Sequence, residues 1–550
     1  MKFSLKEFVF GKTEIVETKA KIVNPKQEYR GNPGGLHFAV SFNGEKNTGE
    51  IGPVSDEFLE YYLLSLRGWS ADLTNEIAHT ILNKFKIWVI GSGLSLKSAP
   101  SYEVLKAFDI DIKEEDFNER TERLFEVWSK SNMSDYTGMN NLNFISSEAF
   151  KNAKIGGDVL TVLRLIDGIV KVEIIDGAHV QSPSYGSDWY PQVLPNGVRL
   201  INGVEIDATG KHIAYHVRCS SNSGSYKYER IPAYNNGFKV AYLVYGRRHR
   251  LNNVRGIPLI TSSLETLAKI DRYREAMVGQ AEELAKIALQ IVHGRDSTGE
   301  NPFQSKVLSK AFDVGAGEQE VATDDDGTIL QNTVAVSTGK TVINNTPDSE
   351  IKPLTTPQGQ FYFKEFLETN INVIAAGIGI PPNVAMSLYN DSFSASRTAT
   401  KDWDHTLDVI RAEFTLEFLK PIYELFLHIE IMKNNIAAPG YLIAYKKGNS
   451  YVLNAYRMMR FTGKMFPHID PVKEVKAERL KLGSNADHIP LTTFEQAVEN
   501  LGGGDADSNM EQFSKEYEYA DELGIEKPEP AEMTSTKNDL PKSDSETESD

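Results

Sequence analysis

The sequence predicts an α+β fold in which long helices flank a mainly antiparallel β unit. Three observations predict it. Apolar residues recur at three- and four-residue steps through several stretches, the spacing of one helix face. Between Gly157 and Tyr245 the period falls to two, and Asx-Gly turns punctuate it. A segment rich in Ser, Thr, Gly, Asn and Asp, residues 293–356, separates two of the helical stretches. With 550 residues the chain has room for about three to five compact units.

Residues 1–54 are polar and mixed in charge, and read as an N-terminal arm or peripheral segment. From Ser55 the pattern changes, with Phe58, Tyr61, Tyr62, Leu64 and Leu66 close together. After Trp69, the residues Leu73, Ile77, Ile81 and Phe85 recur every four positions and predict one helix face. Gly91 and Gly93 end that helix and lead into a short strand. Lys113–Lys130 predicts a second helix with Phe117, Leu124, Phe125 and Trp128 inward, and Leu142–Gly156 a third. Short strands are expected at Val159–Leu165, Lys171–Ile175, Val198–Ile206 and Lys211–Arg218. Asp167-Gly168, Asp176-Gly177, Asn196-Gly197 and Asn202-Gly203 supply the turns.

A helical stretch from Leu259 to Val292 would span about 50 Å, as one rod or as two helices meeting near Gly279. The segment 293–356 carries short β-like pieces such as Thr333–Val336. A helix over Gln358–Ala376 stops at Gly377-Ile378-Gly379-Ile380-Pro381-Pro382, where glycine frees the backbone and proline removes amide donors. Ser394–Glu430 is helical, with Pro421 expected to kink it. Ala455–Phe461 and Val472–Leu480 read as further helices. From Glu526 the tail is acidic and nearly devoid of apolar residues, the composition of a disordered segment.

The formal net charge is -17. That argues against a protein that coats DNA by neutralising phosphates, though not against one that surrounds DNA and lets it slide. The single cysteine, Cys219, excludes an internal disulfide and a cysteine-built metal site. No apolar run approaches the roughly 18–20 residues that cross a bilayer, and the N-terminus lacks the features of a signal peptide.

Motifs for catalysis are incomplete. Gly339-Lys340-Thr341 looks like the end of a phosphate loop, but Val334 stands where the first glycine is needed. A turn with a surface lysine fits better. Gly91-Ser92-Gly93 lacks a third glycine, and Asp324-Asp325-Asp326-Gly327 lacks the glutamate that closes a calcium loop. His212 and His216 sit on an expected strand, not four apart on a helix, and no serine occupies a nucleophile elbow. No enzymatic activity and no cofactor are expected. One charge feature stands out. Arg230, Lys239, Arg247, Arg248, Arg250 and Arg255 occur between residues 230 and 264 without a carboxylate. They predict either a surface that meets an acidic partner or a phosphate backbone, or a solvated strand edge. Ser residues in Asp391–Arg397 read as helix caps.

About ten weak motifs, in order, together resemble the lambda-like portal family of tailed bacteriophages. They include Leu66–Leu73, Val89–Leu94, Phe125 and Trp128, Asn152–Asp158, Ile174–Val180, Gly203–Asp207, with Gly210 and Ala214–His216. Arg255–Pro258, Ile374–Pro381, Phe393–Arg397, His468–Glu474 and Gly524 follow. Phe393 stands for the family's tyrosine and His468 for its tryptophan. The resemblance implies a portal fold with wing, stem, clip and crown parts and long channel-lining helices. Carried over, 55–254 is the wing, 255–292 the first stem helix, 293–356 the clip and 357–378 the second stem helix. Residues 379–393 become the tunnel loop, 394–434 a connecting helix, 435–525 the crown and C-terminal helices, and 526–550 the tail.

The resemblance implies a non-enzymatic ring, typically of twelve subunits, at one capsid vertex of the virion. It would contact the major capsid protein and scaffold, dock the terminase large subunit and later a neck or head-completion adaptor, and pass double-stranded DNA. No membrane partner is expected. Pro382, Asn383, Tyr389 and Asn390 are the expected DNA-touching loop residues. Arg247, Arg248, Arg250 and Arg255 are the expected subunit- or DNA-facing cations. Another head–tail connector or virion structural protein is the nearer rival, and a nucleotide-dependent enzyme the remoter one.

Overall fold

The computed structural model describes residues 15–17, 61–183, 192–194, 197–219, 227–291 except 249 and 252, 320–323, 329–336, 340–344, 363–387, 393–463, 471–483, 490–502 and 506–523. They fall into two units, 1–463 and 464–550.

In the first unit the expected helix after Trp69 is two helices, α1 (Tyr61–Thr74) and α2 (Glu76–Val89). Asn75 divides them. Its side-chain oxygen accepts from the Ile77 and Ala78 amides at 3.1 and 3.0 Å, an N-cap that starts α2 afresh. Leu73, expected inward, is therefore 87% exposed, while Ile77, Ile81 and Phe85 are buried. Gly91 and Gly93 take positive φ and release the chain into β2 (Ser95–Ser98). A short helix, α3 (Tyr102–Ala107), precedes α4 (Glu114–Lys130), which buries Phe117, Phe125 and Trp128 as expected. The third helix, α5, has the predicted bounds, Leu142–Gly156.

The β unit is antiparallel throughout. One sheet has the order β12-β3-β4, from β3 (Asp158–Ile166), β4 (Ile169–Asp176) and β12 (Ala241–Tyr245). The other runs β1-β9-β8-β7-β6-β5. Its members are β1 (Ile15–Glu17), β5 (Gln192–Val193), β6 (Arg199–Ile201), β7 (Val204–Ile206), β8 (His212–Cys219) and β9 (Lys227–Pro232). A small hairpin, β10 (Tyr234–Asn235) and β11 (Phe238–Lys239), links β9 to β12. The expected single strand over 198–206 is instead the hairpin β6–β7, turning at Asn202-Gly203. Gly203 has φ +82°, and a Cβ there would lie 2.6 Å from the Gln181 amide nitrogen. Leu160, Val162, Val180, Val204, Tyr215, Ala241 and Leu243 form the shared core.

The long helix is shorter than its pattern suggested. α6 covers Leu264–Lys286, 23 residues or about 35 Å, and runs through Gly279 without a break. A 3-10 turn at Thr261–Ser263 precedes it. Ile287–Ile291 leaves the helix as β13, pairing in parallel with β16 (Lys340–Asn344). Apolar runs of this length suit either state, and strand pairing decides it here. With β14 (Glu320–Thr323) and β15 (Ile329–Val336) they make a sheet of order β13-β16-β15-β14. Most of 293–356 lies outside the described residues.

α7 (Phe363–Ile378) meets α6 through Tyr273, whose ring lies 5.7 and 4.6 Å from those of Phe363 and Phe366. It ends at the predicted break: Gly379 has φ +88° and Pro382 starts α8 (Pro382–Met386). The next helix is interrupted. α9 (Phe393–Phe414) passes through a π-helical turn at Thr415–Leu419 into α10 (Lys420–Met432). Pro421, the expected kink, lacks the amide that would bond the Glu417 carbonyl, and the widened turn sits just before it. After α11 (Tyr441–Lys447) and α12 (Ser450–Tyr456), the expected helix 455–461 gives way. Met459–Thr462 is β17, paired with β2.

The second unit contains α13 (Pro471–Lys481), which covers the helix expected at Val472–Leu480, together with α14 (Phe494–Asn500) and α15 (Ala506–Glu522). The acidic tail from Glu526 lies outside the described residues.

Candidate functional site

The cation-rich segment between residues 230 and 264 has no acid in sequence but meets acids in space. Arg255 is wholly buried, and all five of its donors are used. Nε and one Nη2 hydrogen bond the two Asp158 carboxylate oxygens at 2.8 and 2.7 Å. The others reach the carbonyls of Val180 (2.9 Å), Asn202 (2.7 Å) and Gly177 (2.7 Å). Asp158 also accepts from the Tyr61 hydroxyl at 2.6 Å and the Gly256 amide at 3.0 Å. The Arg255 guanidinium lies 3.8 Å from the Tyr61 ring centroid. Burial opposes the Arg255 charge, but Asp158 and Tyr61 outweigh it and hold its pKa above the ordinary value. Burial likewise raises the Tyr61 phenol. A Cβ on Gly177 would come within 2.1 Å of the Asp158 oxygen, so glycine is what leaves room for the pair. Arg255 was expected to face a neighbouring subunit or DNA. That expectation is corrected, because a fully buried, fully bonded guanidinium reaches neither.

The remaining cations divide. Arg230 reaches the buried Glu205 carboxylate through Nε (2.8 Å) and Nη2 (2.6 Å), and His216 meets the same group at 2.7 Å. Burial alone would raise Glu205, but the bonds from His216 and Arg230 win and lower its pKa to about 2. Arg248 lies over the Tyr245 ring at 4.0 Å and 3.9 Å from Glu417 on the π turn. Glu417 also accepts from the Tyr245 amide at 3.2 Å, and burial raises its pKa. Lys239 sits over the Tyr242 ring, and burial lowers its pKa. Arg247 and Arg248 are exposed and Arg250 is half-buried. Only these three keep a surface position among the four arginines first singled out.

At the other expected site, Pro382 and Asn383 form the first turn of α8, at the foot of the break after α7. Tyr389 and Asn390 lie outside the described residues. The last described residue before them, Ser387, has left-handed φ and ψ of 56° and 33°. Its hydroxyl accepts from Lys84 Nζ of α2 at 2.6 Å, so the base of the loop is tied to the helical layer. Sequence reading missed Asp158, Glu417 and Lys84. Asp158 carried one signal, a carboxylate opening a mostly apolar strand directly after Gly156-Gly157. Glu417 and Lys84 carried none, because their partners are far away along the chain.

Lys340 and Thr341 open strand β16, whereas a phosphate loop must open a helix. Gly339 and Asp324–Asp326 lie outside the described residues. Among the described residues no group of three or more His, Cys, Asp or Glu could hold a metal ion, and no helix is long and apolar enough to cross a membrane.

A family profile described as phage portal protein, lambda family, matches residues 53–411, about two thirds of the chain. The chain belongs to this family. The portal match begins before α1, takes in the β12-β3-β4 sheet, every strand of the six-stranded sheet but β1, and the α6–α7 pair, and ends within α9. No curated protein matches the chain. Among solved structures, this portal-family chain is similar to one in the neck of a native gene transfer agent particle computed with C12 symmetry. Identity is 9% and the TM-score 0.33, covering 76% of this chain and 98% of that one. It is also similar to a chain of the virion of a native gene transfer agent particle, at 11% identity and TM-score 0.37, covering 82% and 94%. A third, from the neck of an empty particle computed with C6 symmetry, gives 10% identity and TM-score 0.38, covering 84% and 97%.

Proposed function

We propose that the chain is a non-enzymatic portal subunit of a virion. It closes into a ring, typically of twelve copies, at one capsid vertex, and is the conduit for double-stranded DNA during packaging and ejection. The family match over residues 53–411 carries this reading. The terminase large subunit docks on the ring during packaging, and a neck or head-completion adaptor replaces it. Major capsid protein and scaffold surround it during assembly in the host cytoplasm.

The physics of the chain supports a conduit. An acidic protein releases few counterions on meeting DNA, so duplex passes without being gripped. In this reading 255–292 and 357–378, which contain α6 and α7, are the stem, 293–356 the clip, and 379–393 the tunnel loop, with Pro382, Asn383, Tyr389 and Asn390 brushing the duplex backbone. Residues 55–254 are the wing and 435–525 the crown and C-terminal helices. Arg247, Arg248 and Arg250 face a neighbouring subunit or DNA.

Heads assembled with the chain deleted are expected to contain no packaged genome, measured as nuclease-resistant DNA per head. Heads that fill normally without it contradict the conduit. Heads built with Arg247, Arg248 and Arg250 all replaced by Glu are expected to lose rings or retained DNA. Unchanged rings and unchanged DNA would remove these arginines from the reading.

A further inference from the structure

The second unit presents two helices whose exposed faces are opposite in charge and both partly apolar. On α13, Val472, Lys476, Arg479 and Leu480 lie on one side, because four and seven residues are close to one and two turns. All four are exposed, Val472 and Leu480 at 62% and 70%. Glu478, the acid of the last turn, is buried and bonded to Lys481 at 2.6 Å, so it does not offset this face.

On α15, Met510, Phe513 and Tyr517 recur at three- and four-residue steps and stay 58%, 63% and 44% exposed. Glu511 and Glu518, seven residues apart, flank that stripe on one side, with Lys515 between them and 3.8 Å from Glu511, so the flank keeps a net negative charge. The helix as a whole holds six carboxylates and one lysine. Aromatic residues this exposed on a helix mark a contact surface rather than a solvated one. A second α15 is a poor occupant, because its carboxylates would face their like. The α13 face matches it in charge and in apolar content.

We propose that the apolar and basic face of α13 docks on the apolar and acidic face of α15 in the neighbouring copy. This rests on the ring assembly proposed above and names one of its contacts. The two faces differ, so the contact is heterologous: each copy gives one face and receives the other, the arrangement that closes into a ring. Lys476 and Arg479 meet Glu511 and Glu518 around a core of Val472, Leu480, Met510, Phe513 and Tyr517.

The test uses two full-length variants, Lys476→Glu with Arg479→Glu, and Glu511→Lys with Glu518→Lys. All four positions are exposed, so both variants keep the fold. Assembly is followed by sedimentation velocity and native mass spectrometry. Each variant alone places like charges at the contact and is expected to raise the concentration for half-assembly by about tenfold or more. An equal mixture restores every contact, because each reversed α13 meets a reversed α15. Assembly is then recovered as rings with the two variants in equal number. Variants that assemble alone like wild type, or a mixture no better than either, overturn this contact while wild-type rings keep the portal reading intact. A wild-type chain that stays monomeric at every concentration overturns the ring reading and the contact with it.

Discussion

Replacing Arg255 by alanine is expected to destabilise the first unit by about 3–5 kcal/mol, the cost of stranding a buried carboxylate. The substitution leaves Asp158 inside the protein with only the Tyr61 hydroxyl and the Gly256 amide, and it leaves the carbonyls of Gly177, Val180 and Asn202 without this donor. The residues involved come from α1, β3, the turn after β4, the β6–β7 hairpin and the segment entering α6. Arg255 therefore ties the helical layer, both sheets and the start of the long helix at one point. Lysine is a poor substitute, since an ammonium offers three donors in place of a five-donor planar fork. Arg255→Lys should recover only part of the loss. Equilibrium urea unfolding of the full chain at pH 7 measures all of this, with the exposed Arg247→Ala as a control expected to change stability by less than about 0.5 kcal/mol. An Arg255→Ala chain as stable as that control would contradict the assignment of Arg255 to the core.

Lowering the pH from 7 to 5 is expected to cost about 2 kcal/mol through His428 alone. This residue of α10 is fully buried, its ring 4.5 Å from Phe238, 4.7 Å from Tyr445 and 5.8 Å from Tyr441. Burial, and then the Arg457 cation, push its pKa from 6.5 down to about 3. Below pH 6.5 the unfolded chain takes up a proton that the folded chain refuses until about pH 3. The unfolded state binds more protons across that window, so stability falls as the pH falls. His212, pushed down to about 4 by burial, acts in the same direction. Glu205 does not contribute above pH 4.5. Its folded pKa lies near 2, so the stability it supplies is complete above 4.5 and is lost only as the pH drops from there towards 2. Between 6.5 and 4.5 the two histidines lower stability as the pH falls, while Glu417, whose pKa burial raises, acts in the opposite sense. His428→Phe keeps the aromatic packing and removes the titration, and should flatten the decline in unfolding free energy between pH 7 and 5. A variant that loses as much stability as wild type over that interval would contradict the account.

Much of the fold is legible in the sequence where a signal is local. The alternation on either side of Asp167-Gly168 marks an antiparallel hairpin, and Gly377–Pro382 marks a helix stop, because turn chemistry is written in adjacent residues. What was not legible depends on partners. Asn75 restarts a helix through its own side chain, although the apolar spacing runs straight past it. Ile287–Ile291 and Met459–Phe461 read as helix and lie in strands, since β16 and β2 supply their hydrogen bonds from far along the chain. The same reason explains the basic segment. Its lack of carboxylates is real in sequence, yet Asp158, Glu205 and Glu417 close on it from three other elements. Family membership was legible for the opposite reason, because many weak motifs kept their order.

The most direct test of the portal account is electron microscopy of the purified chain with its mass measured in the same buffer. The account predicts a closed ring with a central channel wide enough for duplex DNA, about 20 Å across. Twelve chains of 61.4 kDa give about 740 kDa. A small closed dimer with no central channel would contradict it.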